Sequence, residues 1–296
     1  MIKLWRRIIL PVYQAARAKT VLEIGAEYGT STNVLLNYVK AEGGHLHCID
    51  PYPAFEARQF AEQNRDHLTF YEDLSLNVIR QIPRVDIAMV DGDHNWYTVY
   101  NELKQLEEVH GSDPLDQPVI FAHDLSWPYG RRDLYYNPDT IPAEFRQPYA
   151  NKGILPNKSE LIEGRGMNCT LHNAVHEGGP RNGVLTGVED YLAESRLDWH
   201  FLHLPLYYGL GILITRQRLR ANPALNALVE RFSPNEGSLE LIEQTEHLRC
   251  TDGVMMQAIA RRMQAAEARV AELEARLEAG KKSREQAEPA ADNATR

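Results

Sequence analysis

Cysteine is scarce in this 296-residue chain: Cys48, Cys169 and Cys250 are odd in number, far apart and free of any C-x-x-C pair. That argues against a disulfide framework and for the reduced thiols of a cytoplasmic protein. Long apolar runs are missing as well; none approaches the ~20 residues of a membrane-spanning helix. Positive charge is in deficit, with 32 Lys and Arg against 41 Asp and Glu and a net charge of −9. A general nucleic-acid binder needs the opposite balance, because phosphate binding relies on clustered Lys and Arg. Lys3, Arg6 and Arg7 precede a short apolar segment in the manner of a secretory leader, but the segment breaks at Pro11 and no small-residue cleavage site follows. A leading helix packed on the core is expected instead. The length allows one large α/β domain with extras, or two small domains.

A third glycine is lacking where it would matter most. Val21–Ile24 reads as a buried strand, Gly25 and Gly29 as a tight turn, residues 31–39 as a helix, and His45–Ile49 as a second strand running into Asp50. Strand, glycine turn, helix and a strand ending in an acid make a nucleotide-binding half-unit, with the acid placed for ribose hydroxyls. A dinucleotide site wants G-x-G-x-x-G to seat a pyrophosphate on the helix N-terminus. Here two glycines follow Glu23, an acid poorly suited to pyrophosphate and well suited to a cationic ligand. The pattern E-x-G-x-x-x-G over Glu23–Gly29 resembles motif I of the class I S-adenosylmethionine (SAM) methyltransferases. The resemblance implies that the turn receives the methionyl part of SAM and that Asp50 binds its ribose. SAM carries a sulfonium and an ammonium, so the charge argument agrees. Glu23, Gly25, Gly29, Ser31, Asp50, Ser75 and Asp91 are the expected cofactor-binding residues.

Apolar runs alternate with helical patterns up to about residue 125, the signature of βαβ units and a parallel sheet. Strands are expected at Val21–Ile24, His45–Ile49, Leu68–Tyr71, Val85–Val90 and Val119–Ala122, and helices near Thr30–Val39, Ala54–Asn64, Leu74–Gln81 and Trp96–Val109. Residues 126–181 then lose periodicity and are rich in Pro, Gly, Tyr, Arg and Asn. A stretch so long is a lid or binding loop, or else disordered; its aromatic residues favour order. A helix at Val184–Ser195 and strands at Trp199–Leu206 and Gly209–Thr215 follow. The resemblance implies a Rossmann-like class I methyltransferase fold over residues 1–220, with a mostly parallel seven-stranded sheet and an antiparallel last strand. The 126–181 insertion after strand five would bind the acceptor. A helical extension is expected at 221–258 and a disordered tail at 281–296. Between them, Ile259, Met263, Ala266, Val270, Leu273 and Leu277 are spaced 4-3-4-3-4, a heptad seam of about three repeats. It reads either as a coiled coil that makes a homo-oligomer or as a single helix docked on the body.

The chemistry gathers at two strand ends. Val85–His94 reads VDIAMVDGDH, and the next strand ends in His123-Asp124. As neighbouring parallel strands their ends would lie about 5 Å apart, at the sheet edge where open α/β sheets bind ligands. Two close carboxylates without a Lys or Arg call for a proton or a cation between them. Mg2+ suits hard oxygen ligands; Mn2+ or Fe2+ become plausible if a histidine also binds. The D-G-D-H tetrad followed by a strand ending in H-D resembles the metal-dependent O-methyltransferases of the macrocin and catechol type. That resemblance implies Mg2+ on Asp91 and Asp124 with His123 as a further ligand, and His94, one helical turn from Asp91, as the general base. His123 stands where the family has an acid, and it could equally be a core histidine facing the helix layer. Asp93 reads as a cap of the helix starting near Trp96. In the insertion, Tyr129, Arg131, Arg132, Asn173 and Arg181 are the expected acceptor-binding residues, by stacking and forked hydrogen bonds.

The expectation is a SAM-dependent, Mg2+-dependent O-methyltransferase acting on a hydroxyl of a small molecule, a sugar or a bacterial glycan or natural product, with no nucleic-acid partner. Two other readings stand beside it. One is a metal-dependent hydroxylase of the related cephalosporin-hydroxylase type; the other is a catalytically silent scaffold that oligomerises through its C-terminal helix.

Overall fold

The computed structural model describes residues 1–291, with side chains through residue 282. A π-helical turn, Trp5–Ile9, leads into α1 (Leu10–Ala16), and the chain then alternates strand and helix. The order is β1 (Thr20–Ile24), α2 (Thr30–Ala41), β2 (His45–Ile49), α3 (Ala57–Gln63), β3 (Leu68–Tyr71), α4 (Ser75–Val78), β4 (Ile87–Val90), α5 (Trp96–His110) and β5 (Val119–His123). The insertion carries three short strands, β6 (Leu134–Tyr135), β7 (Tyr149–Ala150) and β8 (His172–Ala174). After it come α6 (Val184–Glu194), β9 (Trp199–Leu204), β10 (Leu210–Thr215), α7 (Arg216–Ala221), α8 (Pro223–Phe232) and α9 (Glu236–Ala291).

The main sheet has seven strands in the order β3-β2-β1-β4-β5-β10-β9. Only β10 runs against its neighbours. The fold is thus the Rossmann-like class I methyltransferase arrangement expected from the sequence. Strand alternation divides the core. Val21, Leu46, Ile87, Val119 and Phe121 face one layer with α1, α2 and α8. Leu22, Ile49, Ala88, Val90 and Ile120 face the other with α5 and α6. The leading segment packs as expected, its Ile9, Val12 and Tyr13 being buried.

The insertion is ordered by a small antiparallel sheet, β6-β8-β7. Beyond α8 the separate helical extension and heptad segment are one helix, α9, which also runs past Gly280. Residues 292–296, the end of the expected tail, lie outside the described residues. No helix among the described residues is long and apolar enough to cross a membrane.

Candidate active site

Parallel pairing brings the C-terminal ends of β1, β2, β4 and β5 to one edge of the sheet. The strand order reverses between β1 and β4, and a crevice opens there, where ligands bind in folds of this kind. A cavity of about 790 Å3 occupies it. Gly25 is the hinge of its floor. Its φ is +93°, and a Cβ there would sit 2.3 Å from the Asp91 carbonyl oxygen. Only glycine satisfies both the backbone sign and that approach.

Asp50 closes the adjoining corner. Its Oδ2 accepts from the backbone N–H of Ala26 and Glu27, at 2.9 and 2.8 Å, and its Oδ1 accepts from that of Tyr52 at 2.8 Å. The acid therefore fixes the glycine turn while still lining the cavity. Ser31, Ser75 and Asp91 line it as well. Two expected cofactor residues do not. Glu23 has the strand parity of Val21, so it points into the α2 layer. There it accepts from Ser31 Oγ at 2.5 Å and from Cys48 Sγ at 3.2 Å, and burial pushes its pKa up to about 7. Gly29 caps α2 with φ +72° and faces the Phe55 ring. Glu23 thus holds Ser31, and Gly29 shapes the turn from behind.

At the ends of β4 and β5, register decides which side chains meet. Val90 pairs with Ala122, so Asp91 and His123 leave the sheet side by side. Asp124 adopts a left-handed backbone, φ +60°, which swings its carboxylate back beside the His123 ring. His123 Nδ1 lies 3.1 Å from Asp91 Oδ1 and 2.9 Å from Asp124 Oδ2. His94 Nε2 is 2.8 Å from Asp124 Oδ2 and 4.0 Å from Asp91 Oδ1. Burial raises the Asp91 and Asp124 pKa values, but the charges of and hydrogen bonds from the imidazoles outweigh it, and both carboxyls fall well below the ordinary range. Burial likewise lowers His123, while Asp91 and Asp124 carry it up to about 9. His94 rises well above its usual value because Tyr136 and Asp124 outweigh burial.

Donor atoms of Asp91, His123 and Asp124 lie within 4.8 Å of one another, close enough to hold one metal ion. His123 Nε2 and His94 Nε2 are buried without a well-aligned hydrogen-bond partner. Two carboxylates with an imidazole fit a divalent cation, and the imidazole admits Mn2+ or Fe2+ beside Mg2+. His94 also stacks on Tyr129, ring centroids 5.5 Å apart at 14°, and its Nδ1 is 3.1 Å from the Tyr136 hydroxyl. Asp93 is not the helix cap. Asn95 caps α5 by accepting from Thr98 N–H, and Asp93 takes the Thr98 hydroxyl at 3.0 Å.

The insertion places its polar residues differently from the sequence expectation. Tyr129 is on the cavity wall, but Arg131, Arg132, Asn173 and Arg181 are not. Arg131 makes a forked pair with Glu189 on α6. Arg132 is fully buried and donates to the carbonyls of Ala174 and Ser159. Asn173 donates to the carbonyls of Lys152 and Asn168 and accepts from the Tyr129 hydroxyl. The Arg181 guanidinium lies over the rings of Trp96 and Phe145, 5.3 and 5.4 Å from their centroids. A long loop must satisfy its own backbone before it can touch a ligand, and Arg132 and Asn173 do that work. The cavity wall near Tyr129 is made instead by Tyr136, Asn137, Ile141, Met167, Asn168, Tyr208 and Gln257.

The cavity also contains a residue the sequence reading missed. Glu102 on α5 lines it while being fully buried, and neither carboxylate oxygen has a hydrogen-bond partner. Burial pushes its pKa up to about 8, with the Ser75 hydroxyl pulling the other way. A Glu inside an amphipathic helix reads as solvent-facing; its signal was the i+3 and i+4 spacing from Val99 and Thr98, which puts it on the inward side. Six acids line the cavity (Glu27, Asp50, Asp91, Asp93, Glu102 and Asp124) and, among the described residues, no Lys or Arg does; the N-terminal ammonium of Met1, 3.4 Å from Asp91 Oδ2, and the imidazoles of His94 and His123 stand against them.

No curated protein matches the chain in sequence. Among solved structures it is similar to a SAH-bound methyltransferase of Podospora anserina, 13% identical, covering 70% of this chain and 76% of that one with a TM-score of 0.44. A methyltransferase from Geobacter sulfurreducens is 12% identical, with coverage of 69% and 75% and a TM-score of 0.39. Similarity at this level says nothing about a substrate. In sequence, residues 22–124 match the family model described as a methyltransferase domain. That span runs from the first strand through the glycine turn and Asp50 to Asp124, and over it the chain is similar to a methyltransferase domain.

Proposed function

We propose that the protein transfers the methyl group of SAM to a hydroxyl oxygen of a neutral, polar small-molecule or glycan acceptor, with a divalent cation, Mg2+ first, on Asp91, Asp124 and His123. The observation that carries this reading is the convergence of those three donors beside His94 on the cavity wall. A bound cation would lower the pKa of an acceptor hydroxyl. The protein's own residues supply the rest. Gly25 and Asp50 seat the methionyl and ribose parts. Ser75 and Glu102 meet the purine, and a neutral carboxyl offers a donor and an acceptor side by side, matched to the amidine edge of adenine. A cation on Asp91 and Asp124 would offset the charges that keep the His94 ring protonated, leaving its Nε2 to take the hydroxyl proton with the ring held by Tyr129 and Tyr136. The oxygen attacks the methyl carbon in line, the C–S electron pair returns to sulfur, and S-adenosylhomocysteine leaves. Most of the acceleration then comes from alignment and from loss of the sulfonium charge.

The acceptor class follows from the wall. Tyr129, Tyr136, Ile141 and Met167 offer flat and apolar surface, and Asn137, Asn168 and Gln257 offer amides. No Lys or Arg lines that wall to pair with a phosphorylated or carboxylated acceptor, which favours a neutral one. Calorimetry with SAM, followed by release of S-adenosylhomocysteine over a panel of neutral and anionic hydroxylated acceptors, tests the reading. Turnover on neutral acceptors that EDTA stops and Mg2+ restores is expected. Failure to bind SAM at millimolar concentration would sink it. The imidazole in the donor set keeps a hydroxylase as the second reading; product formation that needs iron and a reductant and leaves SAM unconsumed would select that one.

A further inference from the structure

One face of α9 is apolar and exposed. Met256, Ile259, Met263, Val270, Leu273 and Leu277 are between 42% and 64% exposed, although such side chains are normally buried. They fall on a heptad frame, with Met256, Met263, Val270 and Leu277 at a positions and Ile259, Ala266 and Leu273 at d positions. The face does not compete with the one that α9 uses on its own protein. Glu246, Cys250, Gln257 and Arg261 contact the body, and all lie outside the a and d rows. Glu246 accepts from the backbone N–H groups of Tyr207 and Tyr208, and Arg261 donates to the Gly166 carbonyl at 2.9 Å. The helix is therefore docked on one side and unpartnered on the other.

The charges beside the seam say what covers it. The g positions preceding a are Arg262, Arg269 and Arg276; the e positions following d are Glu267 and Glu274. In a parallel pair, g of one helix meets the e of the next heptad in its partner. Arg262 then faces Glu267 and Arg269 faces Glu274, each twice by symmetry. In an antiparallel pair g meets g and e meets e, so Arg would face Arg and Glu would face Glu. Val at a with Leu at d, as in Val270 and Leu273, favours two strands. In the single chain Arg269 and Arg276 pair with Glu272 at 2.5 and 3.8 Å, but these side chains are more than half exposed and such contacts exchange at little cost. The seam stops at Gly280, and the next g–e pair, Arg276 with Lys281, is repulsive. We propose that a second copy of this chain covers the face, in a parallel, in-register two-stranded coiled coil over residues 256–277.

Light scattering on the full chain at tens of micromolar tests it. The expected mass is twice 33.7 kDa, falling to the single value in the double variant Val270→Asp, Leu273→Asp with unchanged SAM binding. A wild-type monomer, a trimer, or a dimer indifferent to that variant overturns the proposal. Charge reversal supplies an independent arm. Glu267→Arg with Glu274→Arg makes both flanks basic, and Arg262→Glu with Arg269→Glu makes both acidic. Each alone should be monomeric, and the mixture should recover the dimer; dimers from either variant alone overturn the charge argument. Gly280→Cys reads orientation, since a parallel pair brings the two d positions together under oxidation. A crosslink forming no faster than in the wild type overturns the parallel arrangement.

Discussion

The fully buried, unpartnered Glu102 makes a quantitative demand on the pH dependence of stability. Its pKa is raised from 4.5 to about 8, first by burial, then by Asp93, against the Ser75 hydroxyl and His94. The folded state therefore keeps a proton that the unfolded chain releases. Stability from this group is full below about pH 4.5 and is lost as the pH rises through 8. At about 1.4 kcal/mol per pKa unit, the whole rise corresponds to about 5 kcal/mol. Water drawn in by the ionised form through the cavity trims that, so about 2–5 kcal/mol is expected. Glu23 and Asp133, raised to about 7 and about 6, slope the same way. The wild-type curve alone would confound all three.

Glu102→Gln separates them. The amide has the shape of the acid and stays neutral, so Glu23 and Asp133 act equally in both proteins. Urea unfolding of the ligand-free chain at pH 5, 6, 7 and 8 gives the difference directly. At pH 5 the two should agree within about 1 kcal/mol; by pH 8 the variant should be the more stable by the figure above. A difference that stays flat across the range would refute the claim that Glu102 is held neutral by burial.

The remaining predictions concern the turn, the base and the insertion. Gly25→Ala forces a Cβ to 2.3 Å from the Asp91 carbonyl at φ +93°, so SAM binding by calorimetry should fall below detection; affinity within about tenfold of wild type contradicts the close approach. His94→Ala should cut turnover by at least about a hundredfold while SAM affinity stays near normal, and surviving turnover would put the base elsewhere. Arg132→Ala removes a fully buried guanidinium that satisfies two carbonyls and should cost about 3 kcal/mol in chemical denaturation. Arg131→Ala breaks a half-exposed pair with Glu189 and should cost under about 1 kcal/mol; equal costs would mean the burial contrast is wrong.

The order of strands and helices to residue 125 was legible because it is written in local period: β-branched runs, turn glycines and acids at strand ends. Side-chain direction was less so. Glu23 sits beside the turn in sequence, yet parity sends it to the opposite layer, and the acids that line the cavity are other ones. His123 could have faced either way, because alternation places consecutive strand residues on opposite sides; the strand ends at His123, and the left-handed backbone at Asp124 lets both face the same point. The arginines of the insertion were read as ligand contacts from composition. A long loop with three short strands leaves many carbonyls unpaired by any ladder, and Arg132 and Asn173 answer that need first.

The two halves of the site consequently depend on different parts of the chain. In the proposed reading the cofactor half is assembled by Gly25, Asp50, Ser75 and Glu102, residues that their own strands, turns and helix hold in place within residues 22–124. The wall proposed for the acceptor is assembled from distant segments. Met167 and Asn168 reach the cavity because α9 braces them: Asn168 N–H donates to Gln257 Oε1 at 3.3 Å, and Arg261 holds the Gly166 carbonyl. Tyr208 is fixed by Glu246 on the same helix. Each of these contacts is polar and within reach of water, so each contributes little alone. Their effect rests on α9 being a continuous helix that keeps residues 246, 257 and 261 on one side. A break in α9 between Cys250 and Gln257 should therefore loosen the acceptor wall and leave SAM binding intact. On the proposed reading, acceptor choice is then a property of the C-terminal helix as much as of residues 22–124.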